Sequence, residues 1–160
     1  MRRARRRRRP MAKPAPSLLG TLPHVLFRLG RQAFALPLSQ VKDVARGPEI
    51  TQVPNAMAAV RGMTVLREQL APVLDMRARF GLPAASNPQQ CTALAVDHEG
   101  ERVVLLVDRV EDVLMLPPTL PGVQARDPLW QGVVSGVVQR EHDTILVLDV
   151  AAVLDGALDA

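Results

Sequence analysis

Short apolar runs separated by polar turns recur along this chain, and they predict strands. Residues 25–29 and 33–38 flank Gly30-Arg31-Gln32, which reads as a hairpin. Residues 92–96 and 102–107 flank Asp97-His98-Glu99-Gly100-Glu101 in the same way. After each hairpin the polarity alternates, in Val41-Lys42-Asp43-Val44 and again in Val110-Glu111-Asp112-Val113. One face is apolar and the other charged, as a half-buried strand requires. Residues 70–74 and 144–148 read as further strands. Pro37 removes a ladder donor and predicts an edge or a bulge at its position.

Polar caps and glycine stops predict the helices. Asp75 and Asp149 stand at strand-to-helix junctions, and Gly81 and Gly156 close the short helices that follow them. Asn55, after Pro54, predicts a cap for a helical turn over residues 57–60 that stops at Gly62. Asp127-Pro128 predicts the same start, with Gly132 or Gly136 ending it. These elements form a repeat. Residues 103–113 echo residues 34–44 at an offset of 69, and the offset then becomes 74. It pairs Pro54 with Pro128, Gly62 with Gly136, Asp75 with Asp149 and Phe80 with Leu154. Because matched residues do matched structural jobs, the chain predicts two lobe-forming halves, residues 24–82 and 91–156, joined by a connector over 83–91. Strands this short and numerous curl into barrels or sandwiches to hide their edges. The expected fold is mainly β: two pseudo-repeated five-stranded barrels packed together, with short helices.

Composition changes this picture at one end only. The formal net charge is +4, but residues 1–10 carry seven arginines and no acid. The remainder has 13 basic against 16 acidic residues and is therefore acidic. With Lys13, Pro14 and Pro16 following, residues 1–23 read as a disordered basic tail that buries no apolar surface. Three readings of the arginines stand: an anchor for nucleic acid or an anionic membrane surface, a solvated extension, or untranslated sequence upstream of a start at Met11. No apolar run reaches the ~18 residues that span a bilayer, the tail lacks the apolar core of a secretory signal, and the chain reads as cytoplasmic. A single cysteine, Cys91, excludes an intramolecular disulfide. Four aromatic residues, Phe27, Phe34, Phe80 and Trp130, leave little for stacking on bases.

Reactive constellations are missing from the sequence. His24, His98 and His142 have no second ligand at metal spacing, and the last two fall in predicted turns as solvated residues. Phosphate-binding glycine loops and nucleophile elbows are not signalled. The reading is a protein without catalytic residues, metal or cofactor, working through apolar patches and a few fixed charges.

Residues 62–82, GMTVLREQLAPVLDMRARFGL, resemble the signature of the CheW family of chemotaxis coupling proteins. That signature runs glycine, apolar residues, Asn-Leu-Arg-Gly, a strand ending Pro-Val-(Val/Ile)-Asp-Leu-Arg, and a short helix ending Phe/Leu-Gly-Leu. Gly62, Leu66, Arg67, Pro72, Val73, Asp75, Arg77, Phe80, Gly81 and Leu82 match it. Similarity extends through FRLGRQAFALPLSQVKDV upstream and VVLLVDRVEDVLMLPP and ILVLDVAAVL downstream. The resemblance implies one CheW-like domain over residues 24–158, built of two SH3-like five-stranded β-barrels and without enzymatic activity or cofactor. It implies partners: the cytoplasmic tips of methyl-accepting chemoreceptors, in membrane-bound arrays, and a CheA-type histidine kinase of two-component signal transduction. Similar domains serve pilus-motility and other chemosensory systems.

For the receptor, the resemblance implies a groove between the lobes, with Val41 and Asp43 as its apolar and acidic positions and Arg67 as its arginine. Core packing is the alternative for Val41, and a structural ion pair for Arg67. Kinase contact would use apolar barrel ends, at positions the sequence does not assign. Two departures stand out. Val65 replaces the signature's asparagine and Glu68 its glycine. Glutamate in a hairpin turn lacks glycine's easy access to positive φ, so that turn must be rebuilt or strained.

Overall fold

A computed structural model describes residues 20–54, 59–117 and 132–158. Ten strands appear in chain order: β1 (Leu22–Leu29), β2 (Gln32–Pro37), β3 (Val41–Arg46), β4 (Val60–Leu66), β5 (Gln69–Asp75), β6 (Thr92–His98), β7 (Glu101–Val107), β8 (Arg109–Leu116), β9 (Val134–Arg140) and β10 (Asp143–Leu148). Two short helices, α1 (Met76–Arg79) and α2 (Val150–Leu158), follow β5 and β10. The strands form two five-stranded sheets, ordered β8-β1-β2-β10-β9 and β3-β6-β7-β5-β4. The expected hairpins and alternating strands are all present.

The sheets do not follow the two halves of the sequence. Hairpin β1–β2 joins β8, β9 and β10, while hairpin β6–β7 joins β3, β4 and β5. Each lobe therefore takes its central hairpin from one half and its remaining strands from the other. Burial explains the exchange. Both hairpins are apolar on both faces, β1 and β7 each burying consecutive residues such as Val25–Leu26–Phe27 and Val104–Leu105–Leu106. A strand buried on both faces belongs at the centre of a sheet, whereas β3 and β8 alternate and take the edges. Parallel pairing of β2 with β10 and of β5 with β7 sews the halves together. Pro37 ends β2 beyond its pairing with β10, which stops at Ala35, so its missing donor interrupts no bond there.

The largest core lies between the sheets. Phe27 and Phe34, opposite each other on β1 and β2, stack at 5.5 Å between ring centroids. Phe80, arriving from the end of α1, stacks on Phe34 at the same 5.5 Å. Each barrel interior has a smaller cluster of its own, with Ala71, Ala93 and Ala95 beside Val104 and Leu106 in one and Ala33 and Ala35 beside Leu26 and Ile145 in the other.

Three of the expected glycine stops are corrected by the structure. Gly62 ends no helix: it sits inside β4 at a register shift, with φ +148°. A Cβ there would overlap the Thr51 carbonyl oxygen, and the Thr51–Met63 bridge is possible only because glycine has none. Gly136 is likewise a buried residue of β9, opposite Val147. Helix α2 continues through Gly156 to Leu158. The cap expected at Asn55, the start at Asp127-Pro128 and the basic tail lie outside the described residues.

The other caps form as read. Asp75 accepts from the Arg77 and Ala78 amides at 2.9 and 3.4 Å, and Gly81 (φ +76°) ends α1 while the Leu82 amide bonds back to the Arg77 carbonyl. Asp149 accepts from the Ala152 amide at 3.3 Å.

Candidate functional site

The site begins with the edge strand β3. Pairing with β6 slips by one residue between Val41 and Asp43, so Lys42 is bulged and the strand re-aims its side chains. Asp43 turns its Oδ1 back to accept from the Val44 amide at 2.9 Å. Val41 is half-buried and packs on the central core. Val44, next along the strand, is 46% exposed.

Arg67 reaches this strand from the β4–β5 turn. Its Nε donates to Asp43 Oδ2 at 2.9 Å, and its terminal nitrogen lies 3.4 Å from Oδ1. The guanidinium holds the Asp43 carboxyl below the ordinary carboxylate range, with the Val44 amide adding to the effect. Arg67 is 79% exposed on its side chain and Asp43 only 13%, so the pair offers a fixed cation to solvent. The turn that presents it is strained. Arg67 and Glu68 adopt φ of 50° and 65°, as a two-residue hairpin of the favoured twist demands. Each costs about 1 kcal/mol where glycine would cost little. Beside it, Val65 and Leu70 face each other across the hairpin and are 61% and 64% exposed.

Between the edge strands β3 and β8 lies a cleft of about 320 Å³, lined by Val44, Arg46, Thr92, Arg109 and Val110 among others. The structure thus brings Asp43 and Arg67 together at edge strand β3, while the next residue, the exposed Val44, lines the groove between the lobes and Val41 packs on the core behind it. The bulge at Lys42 shifts the parity of β3, so alternation read from sequence did not single out Val44.

Around the groove, carboxylates are held by arginines. Arg77 donates to both oxygens of Asp108 at 2.6 Å, and Asp108 also accepts from the Gly30 amide at 2.7 Å. Burial raises the Asp108 carboxyl, but these partners outweigh it and hold it below the ordinary range. Arg28 joins Glu111 to Asp143 at 2.9 and 2.7 Å, tying β8 to the start of β10. Asp75 is fully buried and accepts from Arg61 and the Ala85 amide as well as from its helix, so its carboxylate is structural. Cys91 is buried, which raises its thiol. His142 is exposed as expected. His98 is not the solvated turn residue expected: its side chain is 15% exposed and its Nε2 lies 3.0 Å from Asp155. Only the tertiary packing of α2 brings Asp155 there. Among the described residues no helix is long and apolar enough to cross a membrane.

Residues 23–158 match the family model for the CheW-like domain. The chain is 30% identical over 93 residues to the chemotaxis protein CheW of Klebsiella aerogenes, a match covering 58% of this chain and 55% of that protein. The chain thus spans little more than half the length of that relative. It is 29% identical over 121 residues to protein PilI of Pseudomonas aeruginosa, covering 72% of this chain and 66% of PilI. The crystal structure of the scaffolding protein TtCheW from Thermoanaerobacter tengcongensis shares the fold, with a TM-score of 0.72 at 22% identity over 84% of this chain and 93% of that one.

Proposed function

The chain belongs to the CheW-like family, and on that premise we propose that it is a non-enzymatic cytoplasmic adaptor coupling methyl-accepting chemoreceptors to a CheA-type histidine kinase. The observation that carries the reading is the Arg67–Asp43 pair at edge strand β3, where Asp43 is adjacent in sequence to Val44, which lines the groove between the lobes. A helical receptor tip needs an apolar seam and a charge that fixes its register. Val44, with Val41 behind it, supplies the seam, and the exposed Arg67 supplies the charge. Asp43 holds that charge in place, which lowers the ordering cost of binding. No nucleic acid is needed in this reading. The kinase contacts a different surface, so the adaptor holds both partners at once.

Co-sedimentation with receptor-containing membranes tests it. The full chain is expected to pellet with the receptors and to bring a CheA-type kinase with it. A folded sample that recruits neither overturns the proposal. Similarity to PilI supports a second reading, the same adaptor chemistry in a pilus-motility or other chemosensory system. Co-purification with the kinase of one system rather than the other decides between them.

A further inference from the structure

We propose that His98, Glu99 and Asp155 form a binding site for a divalent ion of the zinc class, which pins the C-terminal helix of one lobe to a hairpin turn of the other. His98 ends β6 and Glu99 opens the turn after it, while Asp155 projects from α2. His98 Nε2 lies 3.0 Å from Asp155 Oδ1 and 4.0 Å from Glu99 Oε2, so both carboxylates converge on one imidazole nitrogen. All three ligand atoms fall within 4.8 Å of one another. Zinc held at about 2.0–2.2 Å by nitrogen and oxygen keeps neighbouring ligand atoms roughly 3.3 Å apart in a tetrahedron. His98 and Asp155 already stand near that spacing. Glu99, 83% exposed on its side chain, closes the difference by a small swing.

Charge sets this cluster apart from the other carboxylate ion pairs of the described residues. Asp43, Asp75, Asp97, Asp108, Glu111 and Asp143 each pair with an arginine. Glu99 and Asp155 form no such pair with lysine or arginine among the described residues, and their shared partner is an imidazole, neutral in its metal-binding form. Two carboxylate charges therefore balance a dication. Lys42 is nearby, but its Nζ donates to the Ser39 carbonyl at 3.1 Å.

Space and ligand type complete the case. A cleft of about 500 Å³ opens beside the three residues, with Ser39, Gln40 and the first turn of α2 on its walls. It leaves room for a water as the fourth ligand, the arrangement of an open rather than a closed zinc site. The imidazole favours zinc-class ions over magnesium and calcium, which take oxygen ligands. This inference is independent of the receptor reading.

Calorimetric titration of zinc chloride into the full, untagged chain near neutral pH tests the proposal. One equivalent is expected to bind with a Kd on the order of micromolar. His98→Gln should weaken it at least about tenfold, Asp155→Asn should weaken it several-fold, and magnesium should give no saturable heat. Circular dichroism checks that the variants fold. Should His98→Gln not fold, Glu99→Gln in the exposed turn is the substitute and should weaken binding several-fold. Absence of saturable zinc binding overturns the site. So does binding that His98→Gln or its substitute leaves unchanged, since zinc would then lie elsewhere, on Cys91 or His142.

Discussion

Asp43 and Asp112, 69 residues apart, make the same bond in two different sheets. Each turns its Oδ1 back onto the amide of the following valine, Val44 at 2.9 Å and Val113 at 2.7 Å. Each also sits at a one-residue slip of its edge strand. The copies part at the facing turn. Arg67 covers Asp43, whereas the position that matches Arg67 at the offset of 74 is Glu141, with φ 51°. The two turns share positive φ at this first position only, and the charge there is reversed.

Arg67→Glu places a carboxylate opposite Asp43. Receptor binding is expected to weaken about tenfold, because charge repulsion replaces the register-setting contact. Kinase binding should hold, and stability should fall by less than about 1 kcal/mol, since an exposed pair contributes little. Parallel pull-downs and a urea melt measure the three quantities. Equal loss of receptor and kinase would sink the assignment of the groove.

Glu68→Gly should stabilise the fold. Glu68 adopts φ 65°, a conformation open to glycine without a steric penalty. Relief of up to about 1 kcal/mol is expected, partly offset by the extra freedom of glycine in the unfolded chain. The melting temperature should rise by roughly 2–4 °C. An unchanged or lower value would show that the turn carries no strain at this residue.

Gly62→Ala and Gly100→Ala separate close approach from backbone strain. Both glycines have positive φ, +148° and +82°, but a Cβ at Gly62 runs into Thr51 and Gln52, whereas none at Gly100 meets an atom within 4 Å. Gly100→Ala should cost about 1 kcal/mol from conformation alone. Gly62→Ala should cost several times more, because the Thr51–Met63 bridge must also move. Chemical denaturation reads the ratio, and equal losses would refute the close-packing argument.

Acid should loosen the ion pairs within each lobe and the Arg77–Asp108 tie between them. Asp43, Asp108, Glu111 and Asp143 all titrate below their ordinary values when folded, held down by Arg67, Arg77 and Arg28. A depressed carboxyl contributes stability above its unfolded value, 3.8 for Asp and 4.5 for Glu. That contribution is lost as pH falls through the lower, folded value. Stability should therefore be level from neutral pH to about 5 and decline below about 4. Asp108→Asn should flatten the decline. A slope unchanged in that variant would place the acid sensitivity in other groups.

The period of apolar and polar residues determined most of the elements: the hairpins, the half-buried strands and the caps at Asp75 and Asp149. Local chemistry decides those, because each depends on residues within a few positions of one another. It misled at Gly62 and Gly136, which lie within strands, and at Gly156, which the helix runs through, because each looks, one residue at a time, like a helix stop. The family signature marked Arg67 and Asp43, and the strain at Glu68 followed from a single substitution in it. Three features belong to the tertiary structure alone: the exchange of hairpins between the sheets, the exposure of Val44 and the meeting of His98 with Asp155. All depend on contacts between residues far apart in the chain. Burial of two apolar faces at once selects the exchange, and no local pattern records which distant strand will supply the cover.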